Sequence, residues 1–238
     1  MATLGIIGSG AIGSAVARLA TSAGMEVLIA NSRGPESLAD LVTELGGGAE
    51  AGTPSEAAAF ADQVVVAIPL NRLRELPLEA LAGKLVVDTG NYYPHRDGRI
   101  AELDSHEMTT GELVQKTLVG VDVVKAFNNI LARHIPLLAR PAGARDRSAL
   151  PIVGNDSRAK AAAASLIDRL GFDTVDAGDL SEGWRSEPEA AAYTQAYAAD
   201  PASLAQNYLT DQGKPLAADA LRALLAGAGR PEVAARTF

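Results

Sequence analysis

Glycines at positions 8, 10 and 13 come straight after a short apolar stretch, Leu4 to Ile7, and open a segment, Ala11 to Ala23, whose apolar residues recur at helical spacing until Gly24. Few sequence features constrain a chain more. A strand that turns into a helix over so few residues needs backbone freedom at the turn, and Gly8-Ser9-Gly10-Ala11-Ile12-Gly13 has the G-x-G-x-x-G form that supplies it. Gly8 permits the tight turn, Gly10 lets a pyrophosphate approach the backbone, and Gly13 lets helix and sheet pack closely. The free N–H groups and dipole of the helix start then favour a diphosphate there. The turn residues Gly8, Ser9, Gly10, Ala11, Ile12 and Gly13 are thus candidate cofactor contacts.

The rest of the chain repeats this alternation. Glu26 to Ala30 reads as a second strand, Pro35 to Leu45 as a helix with proline in its first turn, and Gly46 to Gly48 as its end. Thr53-Pro54-Ser55-Glu56 opens a short helix, and Gln63 to Ile68, Lys84 to Asp88 and Asp122 to Phe127 read as strands. Thr89 to Arg99 is polar, with a helix expected over Thr110 to Lys116. Leu150 to Val153, Ser157 to Leu170 and Thr174 to Asp176 give a last strand, helix and strand. Several strands are apolar throughout, as in a parallel sheet covered on both faces. The fold class expected is α/β, a doubly wound, mostly parallel sheet. After Gly178, Trp184, Tyr193, Tyr197 and Tyr208 fall among Ala, Asp and Pro before a helix at about Leu216 to Ala226. The expected division is residues 1–180 as the dinucleotide-binding domain and 181–238 as a small helical appendage that closes the acceptor site and makes dimer contacts.

Specificity can be read at the end of the second strand. An enzyme for NAD usually places an acid there to hold the ribose 2′-hydroxyl, whereas this chain has Asn31-Ser32-Arg33. A serine hydroxyl and a guanidinium suit a 2′-phosphate, so NADP is the expected cofactor. Ile68 and Pro69 close another strand at the edge where doubly wound sheets bind ligands, as an apolar wall beside the nicotinamide ribose. Asp88-Thr89-Gly90-Asn91 and Ala126-Phe127-Asn128-Asn129 end the next two strands, which brings Asn91, Ala126, Asn128 and Asn129 to the same rim. Asparagine can orient a carboxamide or ring carbonyl with no change of protonation, so Asn128 and Asn129 are the candidate catalytic pair. Lys125, inside an apolar strand, is read as half of a structural ion pair.

The chain carries a net charge of −8 and no basic stripe, which argues against a nucleic-acid partner. It has no cysteine and three histidines, so neither a disulfide framework nor a metal centre is expected. The start lacks a basic segment followed by a long apolar core, and no apolar run reaches the roughly 20 residues of a membrane span. A cytoplasmic location is therefore expected.

The glycine turn with Asn31-Ser32-Arg33, then Leu85-Val86-Val87-Asp88, Val123-Val124-Lys125-Ala126-Phe127-Asn128, Gly154-Asn155-Asp156-Ser157 with Lys160, and Asp176-Ala177-Gly178 closely resemble the deazaflavin-dependent NADP reductases. The same blocks are similar to the cytosolic oxidoreductase domain of the six-transmembrane metalloreductases. The resemblance spans roughly residues 4 to 185 and implies a Rossmann-type domain that passes hydride between NADPH and a flavin or deazaflavin ring. It also implies a homodimer paired through C-terminal segments, and it assigns Asn128 to Ala132 to the nicotinamide and acceptor face. In that segment the deazaflavin reductases favour a histidine and a proline, where this chain has Asn128, Asn129 and Leu131. Two other readings stay open: an NADPH-dependent reductase of a small imine, enone or carbonyl compound, and an NADPH-binding sensor without turnover.

Overall fold

A computed structural model of the chain describes residues 2–237. Its centre is an eight-stranded sheet in the order β3-β2-β1-β4-β5-β6-β7-β8. The strands are β1 (Thr3–Ile7), β2 (Glu26–Ala30), β3 (Ala49–Gly52), β4 (Gln63–Val66), β5 (Leu85–Asp88), β6 (Asp122–Lys125), β7 (Ala149–Gly154) and β8 (Asp173–Asp176). Neighbours run parallel except β6 and β7, which are antiparallel. Strand order reverses between β1 and β4, and a crevice opens at the carboxyl ends of such a switch point. This is the doubly wound, Rossmann-type α/β architecture that the alternating pattern implied.

Successive side chains point to opposite faces, so the apolar strands feed two cores. Leu4, Ile6, Val27, Ile29 and Val65 pack on one face with Val16 and Ala20 of α1 (Ala11–Ser22). Ile7, Val64, Val66 and Val86 pack on the other with Ala57, Leu81 and Val114. Gly5 makes this second layer possible. A Cβ on Gly5 would lie 2.2 Å from the carbonyl oxygen of Ala57, so the helix Pro54–Phe60 crosses β1 in direct backbone contact. That helix begins with a capping box in which Thr53 and Glu56 satisfy each other's backbone N–H groups.

Differences from the sequence reading have local causes. β3 was not anticipated, because Ala-Glu-Ala-Gly has no β-branched or aromatic residue; it exists by pairing with the open edge of β2, Val27 against Ala49. The stretch read as one helix from Pro35 is a 3₁₀ turn, Pro35–Leu38, followed by an α-helix, Ala39–Leu45. β4 stops at Val66 and β6 at Lys125, both short of the expected ends. Phe127, with φ of 59°, takes the left-handed conformation that ends strand geometry. Thr89 to Arg99 contains a helical turn, Pro94–Asp97.

The C-terminal part contains the expected helix, at Ala218–Ala226. Its Leu221 and Leu225 join Tyr197 and Leu216 in the same core cluster as Leu150 and Ile152 of β7 and Val175 of β8. Tyr197 is fully buried, and its hydroxyl donates to the carbonyl of Ala149 at 2.8 Å. Among the described residues no helix is long and apolar enough to cross a membrane, and no group of His, Cys, Asp and Glu is placed to hold a metal ion.

Candidate functional site: a two-part crevice at the switch point

Two connected clefts follow the carboxyl ends of the parallel strands. They share Gly10, Ala67, Ile68, Pro69 and Arg96. The first, of about 710 Å³, is built on the glycine turn and the end of β2. Each glycine of the turn has its own reason to be glycine. Gly8 has φ of +115°, and a Cβ on it would lie 2.2 Å from the oxygen of Ala67; a Cβ on Gly13 would lie 1.8 Å from the oxygen of Gly8. Gly10 is different: a Cβ there would meet nothing within 4 Å. The space above Gly10 is therefore open to a ligand. Gly10 is also the N-cap of α1, with no side-chain cap and no acid in the first turn, so the N–H groups of that turn are left for an anion.

Asn31 ties the end of β2 to this turn. Its Nδ2 donates to Ser9 Oγ at 3.1 Å and to Ser37 Oγ at 2.9 Å, while its Oδ1 accepts from the backbone N–H of Arg33 at 2.8 Å. Ser32 and Arg33 stand exposed at the cleft wall, and among the described residues no carboxylate pairs with the Arg33 guanidinium. Ile68 and Pro69 lie where the two clefts meet.

The second cleft, of about 530 Å³, lies beyond Ile12 and is lined by Gly90, Asn91, Phe127 and Asn128 on the sheet side and by Tyr193, Thr194, Tyr208 and Leu209 on the C-terminal side. Arg96 and Arg133 line it, and among the described residues no carboxylate does. Arg96 is paired with Asp97 at 2.8 Å, but among the described residues Arg133 Nε donates only to the backbone oxygen of Asp211, at 2.8 Å. In a chain of net charge −8 this is a local positive field.

The asparagines meet at the rim. Asn91 Nδ2 donates to the carbonyl of Asn128 at 2.7 Å, and Asn128 Nδ2 donates to Asn91 Oδ1 at 3.2 Å and to the carbonyl of Ser186 at 3.0 Å. Asn128 lines the cleft, and its Oδ1 is buried and without a hydrogen-bond partner among the described residues. Asn129 is turned away. It is fully buried, lines neither cleft, and its Nδ2 donates to the carbonyl of Ala192 at 2.9 Å and to the Tyr197 hydroxyl at 3.0 Å. Ala126 is also fully buried behind the rim, and Gly13 serves the packing of α1.

Beneath Asn91 lies the ion pair expected for Lys125. Its Nζ sits 2.6 Å from Asp88 Oδ2, both side chains are almost completely buried, and Nζ also donates to the carbonyl of Gly90. Asp88 Oδ1 accepts from Gly90 N at 2.9 Å, so the pair holds both backbone polar groups of one rim residue, Gly90.

Trp184, one of the tail aromatics, lies outside this cleft. It lines a small cavity with Arg230 and Arg236, with the guanidiniums of Arg185 and Arg230 over its ring at 5.4 and 5.9 Å. The aromatic contribution from the tail is Tyr193, whose hydroxyl meets that of Tyr93 at 2.6 Å. Burial pushes the Tyr193 phenol well above its ordinary range, and the neighbouring Tyr93 adds to the effect. Tyr93, Arg96 and Arg133 were absent from the sequence-based set. One hundred positions separate the paired tyrosines, so spacing gives no sign of them; only the cluster of tail aromatics hinted at Tyr193.

Residues 3–92 match the family model described as NADP oxidoreductase coenzyme F420-dependent. A hypothetical protein from Sinorhizobium meliloti is 34% identical over 81% of this chain and 93% of its own, with a TM-score of 0.70. A protein from Arthrobacter sp. FB24, described as a candidate F420-dependent NADP-reductase, is 28% identical over 77% of this chain and 87% of its own, with a TM-score of 0.64. An imine reductase from Streptomyces aurantiacus is 18% identical, with a TM-score of 0.54; this chain covers 56% of it and shares its fold. No curated protein matches the chain. The glycine turn, the crevice and these relatives together place the chain in the family of coenzyme F420-dependent NADP oxidoreductases.

Proposed function

We propose that the chain transfers hydride between NADPH and a flavin or deazaflavin-type ring. The observation that carries this reading is the single groove that runs from the open space above Gly10 into an aromatic cleft free of carboxylates. The turn from Gly8 to Gly13 would hold the diphosphate, with its N–H groups as donors. Ser32 and Arg33 would take the 2′-phosphate. Ile68 and Pro69 would wall the nicotinamide ribose, and Asn128, on the cleft wall, would lie beside the carboxamide. When bound, NADPH supplies the hydride and its two electrons. Tyr93 and Tyr208 line the cleft as aromatic neighbours for a flat ring, and Arg133, with no carboxylate partner among the described residues, suits the phosphate that such rings carry. Hydride transfer to such a ring needs positioning above all, which a preformed groove provides.

The test is a panel of acceptors offered with NADPH: FMN and 5-deazariboflavin against 2-methyl-1-pyrroline, followed by loss of nicotinamide absorbance. Turnover of either ring compound is expected, with NADPH preferred to NADH. Arg33→Ala should weaken NADPH by about 1.5–3 kcal/mol, roughly 10- to 140-fold in Kd, and leave NADH nearly unchanged. Turnover of the imine alone would favour the small-molecule reductase, and tight binding with no turnover would favour a sensor.

A further inference from the structure

Hydride transfer to a conjugated acceptor leaves an electron pair on a ring nitrogen or oxygen, and that atom must take up a proton. The cleft has a group placed to give one. Tyr93 and Tyr193 come from opposite walls, one following β5 and the other in the C-terminal segment, and both side chains line the cleft. Their oxygens are 2.6 Å apart, a short hydrogen bond between two phenols. Asn91 Nδ2 points into the Tyr93 oxygen at 3.4 Å, and the Arg96 guanidinium lies over the Tyr93 ring at 4.8 Å from its centroid. A phenolate formed on Tyr93 would therefore find a hydroxyl donor, an amide donor and a cation already in place.

We propose that the Tyr93–Tyr193 hydroxyl pair is the proton donor for the acceptor, which makes the substrate a C=N or C=O compound, simple or conjugated, whose heteroatom faces this pair. The inference rests on the hydride-transfer reading above. The step balances. The nicotinamide C–H bond breaks, the hydride forms a C–H bond on the acceptor, or an N–H bond at N5 of a flavin, and the π pair moves to the heteroatom, which takes the Tyr93 proton. Tyr193 passes its proton to Tyr93, and water restores Tyr193. NADPH is oxidised and the acceptor reduced by two electrons.

Among the charged groups around the pair, Asp97, Arg96 and Arg236 are held by partners of their own. Asp97 accepts from Tyr93 N at 3.0 Å and pairs with Arg96. The His95 ring lies 6.3 Å from that of Tyr93. From the C-terminal side, Arg236 pairs with Glu189 at 3.1 Å and donates to the carbonyl of Tyr92 at 2.8 Å. Burial keeps Tyr193 protonated through neutral pH and beyond.

Tyr93→Phe and Tyr193→Phe remove a hydroxyl and little else, and thermal melts report whether each variant folds. With 5-deazariboflavin or 2-methyl-1-pyrroline as acceptor, kcat for Tyr93→Phe should fall roughly 100-fold or more, the lower bound for losing a general acid, while the Kd for NADPH stays within about twofold. Wild-type kcat should be level across neutral pH. In Tyr93→Phe the proton must come from solvent, so kcat should fall as pH rises and recover in part with small added acids. Proton NMR should show a downfield hydroxyl resonance, protected from exchange, that either variant loses. Folded variants with wild-type kcat and a level pH profile, or absence of the resonance from the wild type, would overturn the proton role alone. A wild type that binds NADPH and reduces none of FMN, 5-deazariboflavin or 2-methyl-1-pyrroline would overturn the hydride-transfer reading and this inference with it.

Discussion

Replacing Lys125 by methionine tests how the rim of the acceptor cleft is held. The ammonium is fully buried at 2.6 Å from an Asp88 carboxylate that is itself only 3% exposed. Methionine fills the volume of the lysine stem but leaves that carboxylate with the Gly90 N–H as its neutral donor. Removing one partner of such a pair strands a buried charge, at a cost of about 3–5 kcal/mol. For a chain of this length that corresponds to roughly 6–20 °C in Tm. Asp88→Asn alone should cost less, since an amide oxygen can still accept from Gly90. The double variant, Lys125→Met with Asp88→Asn, should recover at least about 2 kcal/mol of the single loss, because replacing a buried pair as a unit is often close to neutral. Urea unfolding followed by circular dichroism, read as a double-mutant cycle, measures the coupling. If the double variant were as unstable as the sum of the singles, the pair would not be coupled and the lysine would owe its burial to something else.

Two further outcomes follow from the geometry. Gly10→Val should fold within about 1 kcal/mol of the wild type and fail to bind NADPH in calorimetry, because its side chain enters open space that a pyrophosphate needs; Gly13→Ala should lose about 3 kcal/mol of stability, because its Cβ would overlap the Gly8 carbonyl. The second concerns pH. Burial lowers the His134 pKa below its ordinary 6.5 although Asp211 opposes this, so the folded state holds fewer protons there than the unfolded chain. Stability from this site is complete above pH 6.5 and declines as pH falls below it; Tm measured from pH 8 to 5 should show that decline in the wild type, and His134→Gln should flatten it. For Asp211, burial raises the pKa, but N–H bonds from Ala199, Asp200 and Gly213 outweigh it and hold the carboxyl at about 2, so its own loss comes only in more acid solution, below 3.8.

The cofactor half of the crevice was legible because its information is local. Gly8 to Gly13 and Asn31 to Arg33 each lie within a few residues, and backbone conformation and charge at those positions state their own requirements. The acceptor half was only partly legible. Asn91 and Asn128 could be placed on one rim by counting strands, but nothing in either segment says that Asn128 presents an unpartnered oxygen while Asn129 is bound to the tail. Tyr93 and Tyr193 meet only through tertiary packing. β3 was missed for a related reason, since its strand character comes from the open edge of β2 and not from its own residues.

The antiparallel entry of β7 decides how the chain reaches its substrate. Were β7 and β8 parallel to the rest, the backbone would leave β8 beside the crevice. As built, β7 starts on the crevice side, where Ala149 meets Tyr197, and β8 ends on the far side. The chain must then return along the sheet, past Gly183 beside Val153 and Lys125, before Ser186 and Tyr193 reach the acceptor cleft. The glycine turn and the end of β2 therefore lie near the start of the chain, and one wall of the second cleft in a return path that contributes no strand to the sheet. On the proposed reading, exposed positions of that wall such as Tyr208 and Leu209 can change with the acceptor while the nucleotide grip stays as it is, a separation of tasks produced by the direction of one strand.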